Sequence, residues 1–147
     1  MPSDSTVFVD TNVLLYADDG ADDARRLRAR LWLDWLWAGH RGRLSTQVLN
    51  EYYVNAVRKL GVAQGDARAK VRRFQLWQPW QIDHQTVEAA WGVEARYGFS
   101  FWDSLVAAAA LQAGCSYLLT EDLQNGQRVD SLTILNPFLS TPDQLPV

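Results

Sequence analysis

TVFVDTN, residues 6–12, is the stretch on which the fold turns. Thr6, Val7, Phe8 and Val9 are β-branched or aromatic without interruption, which is the pattern of a buried strand. Asp10 ends the run, and Thr11 and Asn12 then offer side-chain oxygens that start a helix or turn. Open α/β sheets gather their ligands outside the carboxyl ends of the strands. An acid at that tip therefore makes Asp10 the origin of a candidate site.

The same grammar returns near the other end of the chain. Residues 115–119, CSYLL, read as a second buried strand and close on Thr120, Glu121 and Asp122. Asn125-Gly126 is a turn, LTIL at 132–135 a last strand, and residues 137–147 an irregular tail with three prolines.

Helical spacing fills the ground between. Residues 13–17 form a brief helix ended by Asp18-Asp19-Gly20. From 21 to 37 the predicted stripe is Leu27, Leu31 and Trp35, with Ala24 and Leu36 beside it and Asp22 and Asp23 at the start. Arg25, Arg26, Arg28 and Arg30 make a basic face, read as solvated and paired with nearby Asp. Residues 39–43 read as a loop, after which Ser45 or Thr46 caps a helix to Leu60. Its apolar stripe is Val48, Leu49, Tyr52, Tyr53, Ala56 and Leu60, and its single acid is Glu51. Asp66 is the expected cap of the next helix, which runs through Val71 and Phe74 towards Trp77. Arg58, Lys59, Arg68, Lys70, Arg72 and Arg73 make this the most basic third of the chain, the first candidate for phosphate-backbone contacts. PWQI at 79–82 suggests a short strand and residues 84–97 a helix closed by Gly98. FWDSLVAAAAL at 101–111 gives a helix apolar on most sides, with Asp103 in its first turn.

Composition sets the bounds. A chain of 147 residues, 48% hydrophobic with seven Trp, fits one domain with a substantial core. No stretch has the length of an apolar membrane span, and MPSDSTVF lacks the basic start and long apolar run of a signal peptide, so a cytosolic protein is expected. Cys115, the lone cysteine, reads as a buried structural thiol. A net charge of −3 argues against coating nucleic acid by bulk electrostatics. That charge is an average, however, and a divalent ion in one acidic pocket would leave the remaining surface more basic.

Asp10, Glu51, Asp103 and Asp122 (or Glu121) fall at element ends or beside buried faces rather than in charged surface runs. Taken singly, Glu51 reads more readily as a boundary residue or ion-pair partner, and Asp103 equally as a helix cap. Taken together on a parallel sheet, the strand tips and the helix start meet at one edge. An oxygen-only set suits Mg²⁺ or Mn²⁺, whereas zinc is disfavoured because His40 and His84 lack paired ligand spacing. GxSxG, HExxH, P-loop and GxGxxG motifs are absent.

At this point the chain resembles the PIN-domain ribonucleases, and among them the VapC-type toxins of bacterial toxin-antitoxin pairs. The resemblance is carried by VDTNVLLYA (9–17), STQVLNEYYVNAVRKL (45–60), FSFWDSLVAAAALQAGC (99–115) and LLTEDLQNGQ (118–127), in the family order, with ILNPF (134–138) also family-like. It implies a three-layer α/β/α fold with a short, mainly parallel central sheet, as a single PIN domain over residues 1–147. It also implies a magnesium-dependent endoribonuclease, commonly dimeric, neutralised by a VapB-type antitoxin whose tail occupies the acidic groove. By resemblance Asp10 and Asp103 hold metal most directly, and Glu51 and Asp122 complete the four-acid pocket. Thr11, Asn12 and Thr120 orient the carboxylates; Glu121 adjoins Asp122, which is favoured as the fourth acid because the family places it two residues after the hydroxyl. Two other readings stay open. A haloacid-dehalogenase-like phosphatase would need a second acid two residues after Asp10, where this chain has Asn12. An inactive PIN-like module binding RNA or protein would be expected to have lost pocket acids, and all four positions are filled.

Overall fold

The computed structural model describes residues 5–145; the start of the chain read against a signal peptide (residues 1–4) and the last two residues of the tail (146–147) lie outside the described residues. Five strands form one sheet in the order β2-β1-β3-β5-β4: β1 (Val7–Val9), β2 (Gly42–Arg43), β3 (Tyr117–Leu119), β4 (Arg128–Val129) and β5 (Leu132–Leu135). All pairs are parallel except β4 with β5 at one edge. Val7, Phe8, Val9, Leu118 and Leu119 are fully buried, as interior strands covered on both faces require. Val9 pairs with Leu119, so the carboxyl ends of β1 and β3 lie side by side.

Six helices flank the sheet: α1 (Thr11–Ala17), α2 (Asp23–Gly39), α3 (Thr46–Leu60), α4 (Gln64–Phe74), α5 (His84–Tyr97) and α6 (Phe101–Gln112). Helix α6 packs on β3 and β5, and α5 lies along α6. The alanine run of α6, Ala107 to Ala110, is wholly buried, because small side chains let α6 approach its neighbours closely. Helix α1 sits against both α2 and α3. No helix among the described residues is long and apolar enough to cross a membrane.

Several elements differ from the sequence expectation. Helix α2 buries Ala29, Trp32, Leu33 and Leu36, while Leu27 and Leu31 are exposed. Both stripes have helical spacing, so periodicity could not choose between them. The choice is made by the tail: the Trp32 indole N–H donates to the carbonyls of Pro137 (3.2 Å) and Ser140 (3.0 Å), and Arg28 reaches the same two oxygens. All four arginines of the basic face therefore have partners in the fold. Arg25 and Arg26 pair with Asp22 and Asp23, and Arg30 donates to the Ala17 carbonyl. The segment read as a loop at 39–43 contains β2, an edge strand too short to show a pattern. Gly42 is required there, since an added Cβ would lie 2.4 Å from the Trp77 ring. Residues 79–82 make only an isolated bridge, Ser45 with Trp80, instead of a strand. Helix α4 begins two residues before Asp66, which lies in its first turn rather than at its cap.

Candidate functional site

Asp10 follows β1 directly, and its backbone N–H extends the ladder to the Leu119 carbonyl at 3.0 Å. It caps α1: Oδ1 accepts the Thr11 backbone N–H at 2.7 Å. Its other oxygen accepts the Thr120 hydroxyl at 2.8 Å, across the β1–β3 seam. The Thr120 oxygen in turn accepts the Asn12 amide and the Asp122 backbone N–H, both at 3.1 Å. One hydroxyl thus uses its donor and both lone pairs to lock the two strand ends together. Asn12 also donates to the Asp122 carboxylate at 3.1 Å.

Helix α6 brings the third acid. Ser100 is its cap, accepting the Asp103 backbone N–H at 3.1 Å, so Asp103 occupies the first turn instead of capping it. One carboxylate oxygen each of Asp10, Asp103 and Asp122 then lie within 4.8 Å of one another. Asp10 is buried, Asp103 half-buried and Asp122 exposed. Among the described residues no Lys, Arg or His pairs with any of the three.

The electrostatics follow from that arrangement. Burial pushes the Asp10 carboxyl up from 3.8 to about 7, opposed by the Thr120 and Thr11 hydrogen bonds and reinforced by Asp122 and Asp103. Burial and then Asp122 also raise Asp103, while Ser100 pulls it down. Three carboxylates with no internal cation make a place where an external cation gains most. The donor set fits a hard divalent ion: it is oxygen only, and one oxygen from each of three carboxylates falls within 4.8 Å of the others.

Other predicted residues stand elsewhere. Glu51 is not one of the clustered acids; it lines a neighbouring cavity with Trp102, and Gln47 donates to its Oε1 at 2.7 Å. Glu121 turns away from the cluster, accepting the Tyr16 hydroxyl at 2.7 Å and facing Arg25 at 3.4 Å. Of the two adjacent acids it is therefore Asp122 that joins Asp10 and Asp103. Thr11 supports Asp10 through its backbone, its hydroxyl having no hydrogen-bond partner among the described residues. Asn12, a hydrogen-bond donor to Thr120 and Asp122, cannot serve as the acid that phosphatase chemistry needs. Among the basic candidates Lys70 is taken up by Asp18 at 2.8 Å, and Arg73 lies over Trp37. The role of Ser100 was missed in the sequence, although Ser followed three residues later by an acid, just before an apolar run, is a helix-start signature.

Residues 7–130 match the sequence profile of the PIN domain. In structure the chain is similar to VapC20 of Mycobacterium tuberculosis, a sarcin-ricin loop cleaving toxin, with a TM-score of 0.58 and 21% identity over 77% of this chain and 87% of that one. It is similar to a toxin-antitoxin complex from Klebsiella pneumoniae (TM-score 0.66, 17% identity, 90% and 98% covered). It is also similar to DNA-bound VapBC from Salmonella typhimurium (TM-score 0.61, 21% identity, 89% and 97% covered). At these identities the likeness is one of fold. No curated protein matches the chain in sequence.

Proposed function

The chain belongs to the PIN-domain family, and from that premise we propose that it is a metal-dependent endoribonuclease, the toxin of a toxin-antitoxin pair, built as a single PIN domain over residues 1–147. The observation that carries this reading is the convergence of Asp10, Asp103 and Asp122 within 4.8 Å, with no ion pair to any of them among the described residues. Mg²⁺, with Mn²⁺ as a substitute, is the ion such a set would hold. When bound it would acidify a water, orient the scissile phosphate and offset charge on the leaving oxygen.

The chain's own residues do the rest. Asp10 and Asp103 hold the ion and Asp122 completes the pocket. Thr120 and the Thr11 N–H keep both Asp10 oxygens aimed, and Asn12 keeps Asp122 beside them. Glu51, approaching from α3, orients the attacking water through Oε2, the oxygen that Gln47 leaves free. The products are a 5′-phosphate and a 3′-hydroxyl. The partner is a VapB-type antitoxin whose tail fills the acidic groove, and the toxin works as a homodimer in the cytoplasm. Two of the structural neighbours are toxin-antitoxin complexes, which supports the pairing.

Asp10→Asn and Asp103→Asn test the assignment. Each variant should lose RNA cleavage while keeping a native circular dichroism spectrum. A purified variant that cuts at the wild-type rate would refute it.

A further inference from the structure

Between α3 and the first turn of α6, the turn that also carries Asp103, lies a cavity of about 390 Å³ lined by Gln47, Asn50, Glu51 and Trp102. Trp102 is 62% exposed, a large aromatic face that the fold leaves uncovered. It is nevertheless held in place, because Phe101 meets it edge-on at a centroid distance of 5.1 Å and an angle of 74°. Its Cα is one residue, about 3.8 Å, from that of Asp103.

The polar lining narrows the ligand. The Gln47 N–H is committed to Glu51 while its buried carbonyl oxygen has no partner among the described residues, and the exposed side chain of Asn50 makes no hydrogen bond to them. The only charge in the lining is the Glu51 carboxylate, so a phosphate is repelled. What fits is a flat, uncharged group with a π face and a hydrogen-bonding edge. A nucleobase lifted out of its stack has both.

We infer that this cavity is a base subsite: Trp102 stacks an unpaired RNA base beside the phosphate held at the three acids, and Asn50 meets the edge of that base with one N–H and one carbonyl. The inference rests on the ribonuclease reading and adds to it a preference for unpaired RNA.

The test is steady-state cleavage, in Mg²⁺, of a short single-stranded oligoribonucleotide spanning the mapped cut. It is used intact and with the base removed at the nucleotide beside the cut. Trp102→Ala should raise KM for the intact strand at least about fivefold, the range of aromatic stacking on one base, with kcat nearly kept. Trp102→Phe should restore most of the affinity. Wild type should show the same rise on the abasic strand, and Trp102→Ala no further rise on it. A wild-type KM in Trp102→Ala, with or without loss of a protein partner, would overturn the subsite, as would penalties of variant and missing base that simply multiply. Asn50→Ala, on the exposed rim, supplies a second variant should Trp102→Ala fail to fold. It should raise KM on the intact strand only, and an unchanged KM would count against the subsite. Failure of the ribonuclease reading looks different: wild type would cut nothing, or Asp103→Asn would cut as well as wild type.

Discussion

Asp10→Asn should stabilise the metal-free protein at alkaline pH, although it removes the residue at the centre of the site. In the unfolded chain this carboxyl titrates near 3.8, and in the fold burial holds it at about 7. Below pH 4 it is protonated in both states and costs nothing. Between pH 4 and 7 the unfolded state ionises first, so the fold loses stability as pH rises, by about 4 kcal/mol once pH is well above 7. Asparagine escapes that penalty. It keeps an acceptor for the Thr11 N–H but presents N–H to a Thr120 oxygen that already accepts two hydrogen bonds. One contact is lost, at about 1 kcal/mol. The net gain of about 3 kcal/mol corresponds to about 6–12 °C in Tm for a chain of this size. Thermal unfolding from pH 4.5 to 8.5 in EDTA reads it directly. Wild type should melt lower as pH rises, more steeply than Asp10→Asn, whose remaining slope comes from Asp103. Added Mn²⁺ should raise the wild type alone. An Asp10→Asn variant that melts below wild type at pH 8 in EDTA, or two parallel pH profiles, would refute the reasoning.

Thr120→Val keeps the shape but leaves Asp10, Asn12 and the Asp122 N–H each one partner short. It should cost about 1–3 kcal/mol in urea denaturation and weaken Mn²⁺ binding. Gly42→Ala drives a methyl into the Trp77 ring, and an overpacking cost of about 1–3 kcal/mol should appear as a lower denaturation midpoint with an unchanged slope.

What the sequence revealed followed the strength of the local signal. TVFVDTN and residues 115–122 announced β1, β3 and the acids at their tips, because a strand buried on both faces must be apolar throughout. Helix α5 matched its expected limits because Asp83 and Gly98 bracket it. The buried face of α2 was hidden, since two apolar stripes share one period and the partners that turn one of them inward, α1 and the carbonyls of Pro137 and Ser140, are tertiary. Strands β2 and β4 have two residues each, too few for any alternation. At the site, the sequence offered both acids of Thr120-Glu121-Asp122, and the choice rests on Tyr16 and Arg25 drawing Glu121 away. Glu51 is held locally instead, by Gln47 one turn earlier in α3, and lines a cavity with Trp102.

The position of β3 in the sheet sets a timetable for the molecule. It enters between β1, made near the start of the chain, and β5, made near its end. The Thr120 hydroxyl meets Asp10 across 110 residues of sequence. The three acids can therefore all converge only after β3 and the residues that follow it have been synthesised, because Asp122 lies beyond that strand. Assembly of the cluster is tied to closure of the sheet around β3.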